Sequence, residues 1–263
     1  GALVNMKDKK TIYIKQADKK NRKINITEDS VVIEIIDDLK IDNIKTNIIF
    51  ADNINVDYIY LFNNSDKTLI NEDRNIKLGI NTKIKNHYCY LNGNIVLNIQ
   101  HNLDSQAELD SQGVFLADGE NRFSVQEKNY FSYPNAQGNF LVQGVAKDQA
   151  KASYYSSLII EQAAKKTVAK LDMSAILLDS QAKINLVPAL KVIQNDVKAS
   201  HSAKISRLDK EQLFYLQSRG VSANEAEQLL LESMFEQFLA RIPDKKTQEQ
   251  IKNLLAKKLS WKK

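Results

Sequence analysis

The sequence predicts a mainly β chain: a solenoid-like body over residues 1–206, followed by a small α-helical domain over 207–263. Three observations carry this. Short segments rich in β-branched side chains alternate apolar and polar residues through the first three-quarters of the 263-residue chain. Convincing helical spacing is absent until about residue 208. An alanine followed by lysine recurs in "QAK" at Gln149–Lys151, "QAAK" at Gln162–Lys165, "QAK" at Gln181–Lys183 and "SAK" at Ser202–Lys204.

The strand segments begin with "TIYIK", where Ile12 and Ile14 point one way and Thr11 and Tyr13 the other. "KINIT", "VVIEII", "NIIFA", "VDYIYLF" and "NIVLNIQ" follow the same period. The first hundred residues are crowded with Ile, Asn, Lys and Asp, a bias that puts Ile where Val or Leu would serve. A sandwich of tight hairpins needs more turn glycine than the eight Gly and three Pro present; only "LNGN" at Leu91–Asn94 reads as a type I′ hairpin. The alanine–lysine repeat, at steps near ~20 residues, instead suggests stacked solenoid coils.

The helical zone has clearer punctuation. Asp209 and Gln212 cap "LFYLQSR", and Gly220 stops that helix. Ser222 and Glu225 form a capping box before a long helix whose apolar face includes Ala226, Leu229, Leu230, Phe235, Phe238 and Leu239. Pro243 lies past its end, and Thr247 with Gln250 is expected to cap a third helix carrying Ile251, Leu254, Leu255 and Leu259.

Composition narrows the function classes. The single cysteine, Cys89, rules out an intrachain disulfide framework and any site built from this chain's cysteines alone, and favours a cytoplasmic setting. No run reaches the length of a membrane-spanning helix, and no secretory pattern opens the chain; Met6 is a candidate native start. Net charge is +5, with lysines scattered along the sequence rather than gathered into a basic stripe, so no nucleic-acid partner is expected. The basic tail "AKKLSWKK" reads as a solvated helix end. No P-loop and no G-x-S-x-G elbow is present, and no catalytic residues are assigned.

The stretch "VPALKVIQNDVKASHSAKISRLDKEQLFYLQSRGVSANEAEQLLLESMFEQFL" resembles the C-terminal signature of the SufB/SufD family of iron–sulfur cluster assembly proteins. The family order of Pro, an apolar strand, Asp-Val-Lys, Ser-His, Leu-Asp, Leu-Phe-Tyr-Leu and Ser-Arg-Gly is met by Pro188, Asp196–Lys198, Ser200–His201, Leu208–Asp209, Leu213–Leu216 and Ser218–Gly220. The resemblance runs from roughly Ser132 to Leu239, fades upstream of residue 100, and is closer to SufD than to SufB. It implies a right-handed parallel β-helix followed by a helical domain. It also implies pairing through the β-helix with a SufB-like subunit or a second copy, and docking of a SufC-like ATPase on the C-terminal helices. The location implied is the cytoplasm, or an organelle stroma in a eukaryote. The chain departs from the family at Ala199, where the pattern has cysteine, and at Ser202, where it has glycine. The N-terminal part reads as shortened relative to the family.

His201 is therefore the candidate iron or cluster ligand, shared with a partner across the interface; neutral imidazole binds iron well. The isolated chain is expected to bind no cofactor tightly. Phe214, Tyr215 and Arg219 are the candidate ATPase-docking residues, with Phe214 expected in the helical core and Arg219 exposed. Cys89 and His87 share one strand face but read as structural, and His101 has no evident partner. A remote alternative is a β-helix carbohydrate enzyme using Asp104, Glu108 and Asp110. The "LFYLQSRG" tail argues against it.

Overall fold

The computed structural model describes residues 9–14 and 20–259; Met6 and the end of the basic tail lie outside them. Strands β1 (Lys10–Ile14), β3 (Ser30–Ile36), β5 (Asn55–Asn63), β7 (Lys83–Asn92), β9 (Glu108–Ala117), β11 (Gln137–Ala146), β13 (Thr167–Leu177) and β15 (Val197–Ser206) stack in that order into an eight-stranded parallel sheet. Strands β2 (Asn21–Ile26), β4 (Asn43–Phe50), β6 (Leu69–Leu78), β8 (Asn94–Leu103), β10 (Arg122–Phe131), β12 (Lys151–Ile160) and β14 (Lys183–Val192) form a seven-stranded parallel sheet. The chain alternates between the sheets, so each coil adds one strand to both: a parallel β-solenoid.

The coil is longer than the alanine–lysine spacing suggests. Register partners on successive coils lie 25, 29 and 30 residues apart, as in Asp73–Asn98, Asp110–Asn139 and Asp172–Ser202. Each coil has a turn on either side, and the buried alanines sit at both. Ala150 and Ala182 occupy one side, just before the register partners Lys151 and Lys183; Ala164 is on the other. The first three copies thus count half-coils, while Ala203 of the fourth lies within β15.

Scarcity of glycine has a related cause. Asn53, Asn81, Gln106, Asn135 and Lys166 all take positive φ at one corner, each just before a strand of the eight-stranded sheet. Asparagine tolerates this left-handed conformation better than most side chains. Asn81 also donates to Asn53 of the coil below at 2.9 Å. The predicted hairpin at Leu91–Asn94 does not form. Gly93, at φ +96°, is instead a one-residue corner that carries the chain from β7 into β8, in the other sheet.

The alternating side chains of both sheets fill the solenoid interior, from Ile26 and Val32 to Leu171 and Leu186. The outer face of the seven-stranded sheet stays in solvent, which gives the clean alternation seen in the sequence. The outer face of the eight-stranded sheet carries a second core: Ile33, Ile59, Leu61, Cys89 and Val114 pack against helices α2 (Ala223–Ala240) and α3 (Lys245–Leu259) through Leu231, Phe235, Phe238, Ile251 and Leu255. Strand β5 is consequently buried on both faces.

Helix α1 (Lys210–Ser218) starts on Asp209, which accepts from the backbone N–H groups of Glu211 and Gln212. Gly220 ends it at φ +88°, and Ser222 with Glu225 forms the expected capping box. Two helical expectations are corrected. α3 begins at Lys245, and Asp244 caps it by accepting from the Thr247 N–H at 2.8 Å; Thr247 itself is buried in the first turn. Leu229 is 49% exposed, because Leu231 occupies the position facing the sheet.

Candidate functional site

The solenoid ends in two uncovered strands, β14 and β15, each the last of its sheet. His201 lies within β15, and it is exposed. Its register partner is Leu171, whose own partner is Phe140, and both are buried in the interior. His201 therefore occupies an inward-facing row, at the coil where the tube has no further layer above it. The same row set includes Ala203 and Ile205, and Ile205 is 46% exposed. Val197 and Ala199 at the start of β15 still pack on the core. The end thus presents apolar side chains, one imidazole and two unpaired strand edges together. Among the described residues, no group of three His, Cys, Asp or Glu side chains could by itself hold a metal ion.

After β15 the chain enters α1, which buries no residue. Phe214 is 72% exposed, against the expectation that it fills the helical core; Leu213 and Leu216 are the half-buried positions. Tyr215 is also exposed, and the Arg219 guanidinium lies over its ring, 5.2 Å from the centroid. Two exposed aromatics and a stacked arginine on one short helix resemble the anchors of a protein interface.

The interior holds polar groups that sequence reading missed. Arg22 and Arg74 point inward from the seven-stranded sheet, and Glu34 points inward from the opposite sheet. Arg22 donates to Glu34 and Glu72 at 2.6 and 2.7 Å; Arg74 donates to the same two carboxylates at 2.7 Å each. Tyr58 donates to Glu34, Tyr60 donates to Glu72 at 3.0 Å, and Thr46 donates to Glu72 at 2.7 Å. Two cations thus balance two anions. Burial alone would raise the Glu34 carboxyl, but Arg74 and Arg22 outweigh it and hold it at about 2. The sequence signal was a charged residue at an inward position of an alternating strand, as in "VVIEII".

Farther along the tube, His101 is fully buried, contrary to the expectation that it lacks partners. Its Nδ1 is 2.8 Å from Asn129 Oδ1 and 3.7 Å from Glu127, which accepts from Ser156 at 2.7 Å. Burial lowers His101 to about 4 and raises Glu127 to about 7, so desolvation favours the neutral form of each.

His87 and Cys89 do share one face of β7, but it is the face beneath α2. Cys89 packs as an apolar group, and burial pushes its thiol up. His87 meets the edge of Phe238 and stands 3.8 Å from Asp57, too far for a hydrogen bond, and burial lowers its pKa and so favours the neutral ring. The three acidic residues of the carbohydrate alternative are engaged separately. Asp104 accepts from the Ser105 N–H in a turn, Glu108 pairs with Lys83 at 2.9 Å, and Asp110 pairs with Arg241 after α2.

A model of the family described as "SUF system FeS cluster assembly, SufBD core domain" matches residues 17–234. Among curated proteins, the chain is similar to a SufBD-family iron–sulfur cluster assembly protein of Synechocystis, at 33% identity over 112 residues, 43% of this chain and 25% of that one. It is similar to SufD of Bacillus subtilis at 30% over 124 residues, 47% of this chain and 28% of that one. Against SufD of Plasmodium falciparum it shows 29% over 164 residues, 62% of this chain and 11% of that one. The chain therefore spans a minor part of the length of these relatives.

Proposed function

The chain belongs to the SufBD core family of the SUF system of iron–sulfur cluster assembly, and from that premise we propose that it acts as a SufD-like, non-ATPase subunit of an assembly complex. The observation that carries this reading is the uncovered solenoid end. A sister solenoid of the SufB type, stacking on β14 and β15, would pair the free strand edges and cover Val192, Ile193 and Ile205. His201 would then be enclosed at the seam. In this role the cluster is cargo, and His201 supplies one nitrogen ligand while the partner supplies the rest. The isolated chain would hold no cofactor tightly and catalyse no reaction of its own. The exposed face of α1 would receive a SufC-like ATPase, with Phe214 and Tyr215 as apolar anchors and Arg219 pairing with a carboxylate. No helix among the described residues is long and apolar enough to cross a membrane; the reading places the complex in the cytoplasm or an organelle stroma.

A second reading keeps the same surfaces but joins two copies of this chain. Co-expression with a SufB-like sister and a SufC-like ATPase, followed by mass and composition of the purified complex, separates the two. Within that complex, His201→Ala and His201→Gln should leave assembly near normal and abolish cluster maturation in cells. Arg219→Glu should weaken ATPase binding without unfolding the chain. Normal maturation with both His201 variants would reduce this residue to a structural one, and a strictly monomeric chain that recruits neither partner would overturn the proposal.

A further inference from the structure

We propose that the outer face of the seven-stranded sheet is a docking surface for an acidic protein partner. Lysines scattered along the sequence are gathered there by the solenoid. Strands β2, β4 and β6 contribute Lys23, Lys45 and Lys77, all exposed and outward-facing. Strands β10, β12 and β14 add Arg122, Lys128, Lys151, Lys183 and Lys191. The outward positions of these strands hold one acid, Asp73, which accepts from Asn98 at 2.8 Å. Compositional bias toward lysine does not explain this, because the whole chain carries 32 Asp and Glu against 37 Lys and Arg.

The opposite sheet provides the contrast. On its outer side Lys83 pairs with Glu108, Lys170 with Asp172 and Lys9 with Asp57. None of the cations on the seven-stranded face has an ion-pair partner among the described residues. Arg122, Lys151 and Lys183 are direct register partners on consecutive strands, about 4.8 Å apart. Like charges set side by side destabilise a sheet, so this row costs the isolated chain stability.

The layout favours a folded protein over a nucleic acid. Arg122, Lys151 and Lys183 open their strands, Lys77 and Lys191 stand near the ends of theirs, Lys23 lies on terminal β2, and Lys45 and Lys128 stand farther in, beside amide side chains. Amides occupy the middle and hold one another: Asn102 donates to Asn75 at 2.8 Å, and Gln100 donates to Asn102 at 2.9 Å. Cations set mostly toward the edges of a fixed polar centre match interface anatomy. Single-stranded nucleic acid would call for a continuous cationic track, which Asp73 and the amides interrupt here. Six strand spacings by some nine residue steps give roughly 900 Å², the area one partner contributes to a standard interface.

The inference does not depend on the proposed role in cluster assembly, and its test requires neither sister subunit nor ATPase. Fluorescein-labelled oligoglutamate is titrated with the full chain and followed by anisotropy at low and moderate salt. The triple variant Arg122→Gln, Lys151→Gln, Lys183→Gln should bind about tenfold more weakly, and salt should weaken the native complex. A control triple on α3, Lys245→Gln, Lys246→Gln, Lys252→Gln, removes the same net charge and should change affinity by less than about twofold. Equal losses in the two triples would overturn the proposal, as would absence of salt-sensitive oligoglutamate binding. A labelled oligothymidylate that binds more tightly than oligoglutamate, and loses affinity in the first triple, would replace the protein partner with a nucleic acid.

Discussion

Arg74→Met tests whether the solenoid depends on its buried charge balance. Arg74 is fully enclosed, donates to Glu34, Glu72 and Tyr58 at 2.7 Å each, and lies over the Tyr60 ring at 4.5 Å. Methionine approximates its length but leaves two carboxylates facing one cation, Arg22. Breaking one partner out of a buried ionic cluster costs about 3–5 kcal/mol, because the remaining charge is stranded away from water. For a chain of this size that lowers Tm by about 6–20 °C. Thermal and denaturant unfolding followed by circular dichroism measure it. Adding Glu34→Gln to Arg74→Met restores neutrality and should recover about half of the loss or more. The pH dependence supplies an independent check. Glu34 has a depressed folded pKa, so its stabilisation is complete above its unfolded value and is lost as pH falls toward about 2. Without Arg74 its folded pKa rises, and acid unfolding should begin at higher pH. A single variant within about 1 kcal/mol of the native chain, or a double variant no better than the single, would refute the stranded-charge argument.

Three further predictions concern other positions. Glu127 is raised and His101 lowered, so stability from Glu127 falls as pH rises from its unfolded pKa toward about 7, whereas the His101 contribution grows from about 4 toward its unfolded pKa. The two slopes oppose each other in mildly acid solution; Glu127→Gln should expose a stability that rises with pH there, and His101→Asn one that falls, as read from melting temperature against pH. At Gly144, an added Cβ would lie 2.0 Å from the Phe115 ring, so Gly144→Ala should cost about 1–3 kcal/mol, with partial rescue by Phe115→Leu in the same melt. Phe238 is fully buried between α2 and the sheet; Phe238→Ala should cost about 3–5 kcal/mol, with hydrogen exchange accelerating in α2 and α3 before the central strands.

Much of the local structure was written in neighbouring residues. Ile24 and Ile26, or Phe123 and Val125, announce an inward face because strand side chains alternate every residue. Ser222 with Glu225 marks a helix start because the two bond reciprocally within one turn. The ordered run from Pro188 to Gly220 was long enough to carry a family resemblance, which the match over residues 17–234 bears out. These signals are local, or reside in the order of a contiguous segment.

What only the tertiary structure decided involves partners a coil or more apart. Coil length was misread because the alanines mark both turns of each coil. "LNGN" was misread because the same glycine conformation serves a hairpin or a corner, and which strand lies beside β7 is fixed elsewhere. Phe214 was assigned to a core that its helix never joins, since α2 and α3 alone cover the eight-stranded sheet. Arg22 finds Glu72 across 50 residues of sequence, and His101 finds Asn129 across 28. The sequence by itself determined which residues alternate, cap and turn, because those are contests between adjacent groups. The stacking of coils decided which charges meet inside the tube, which lysines share its bare face, and that His201 stands in the last inward row, because each depends on the register between strands that only the completed winding sets.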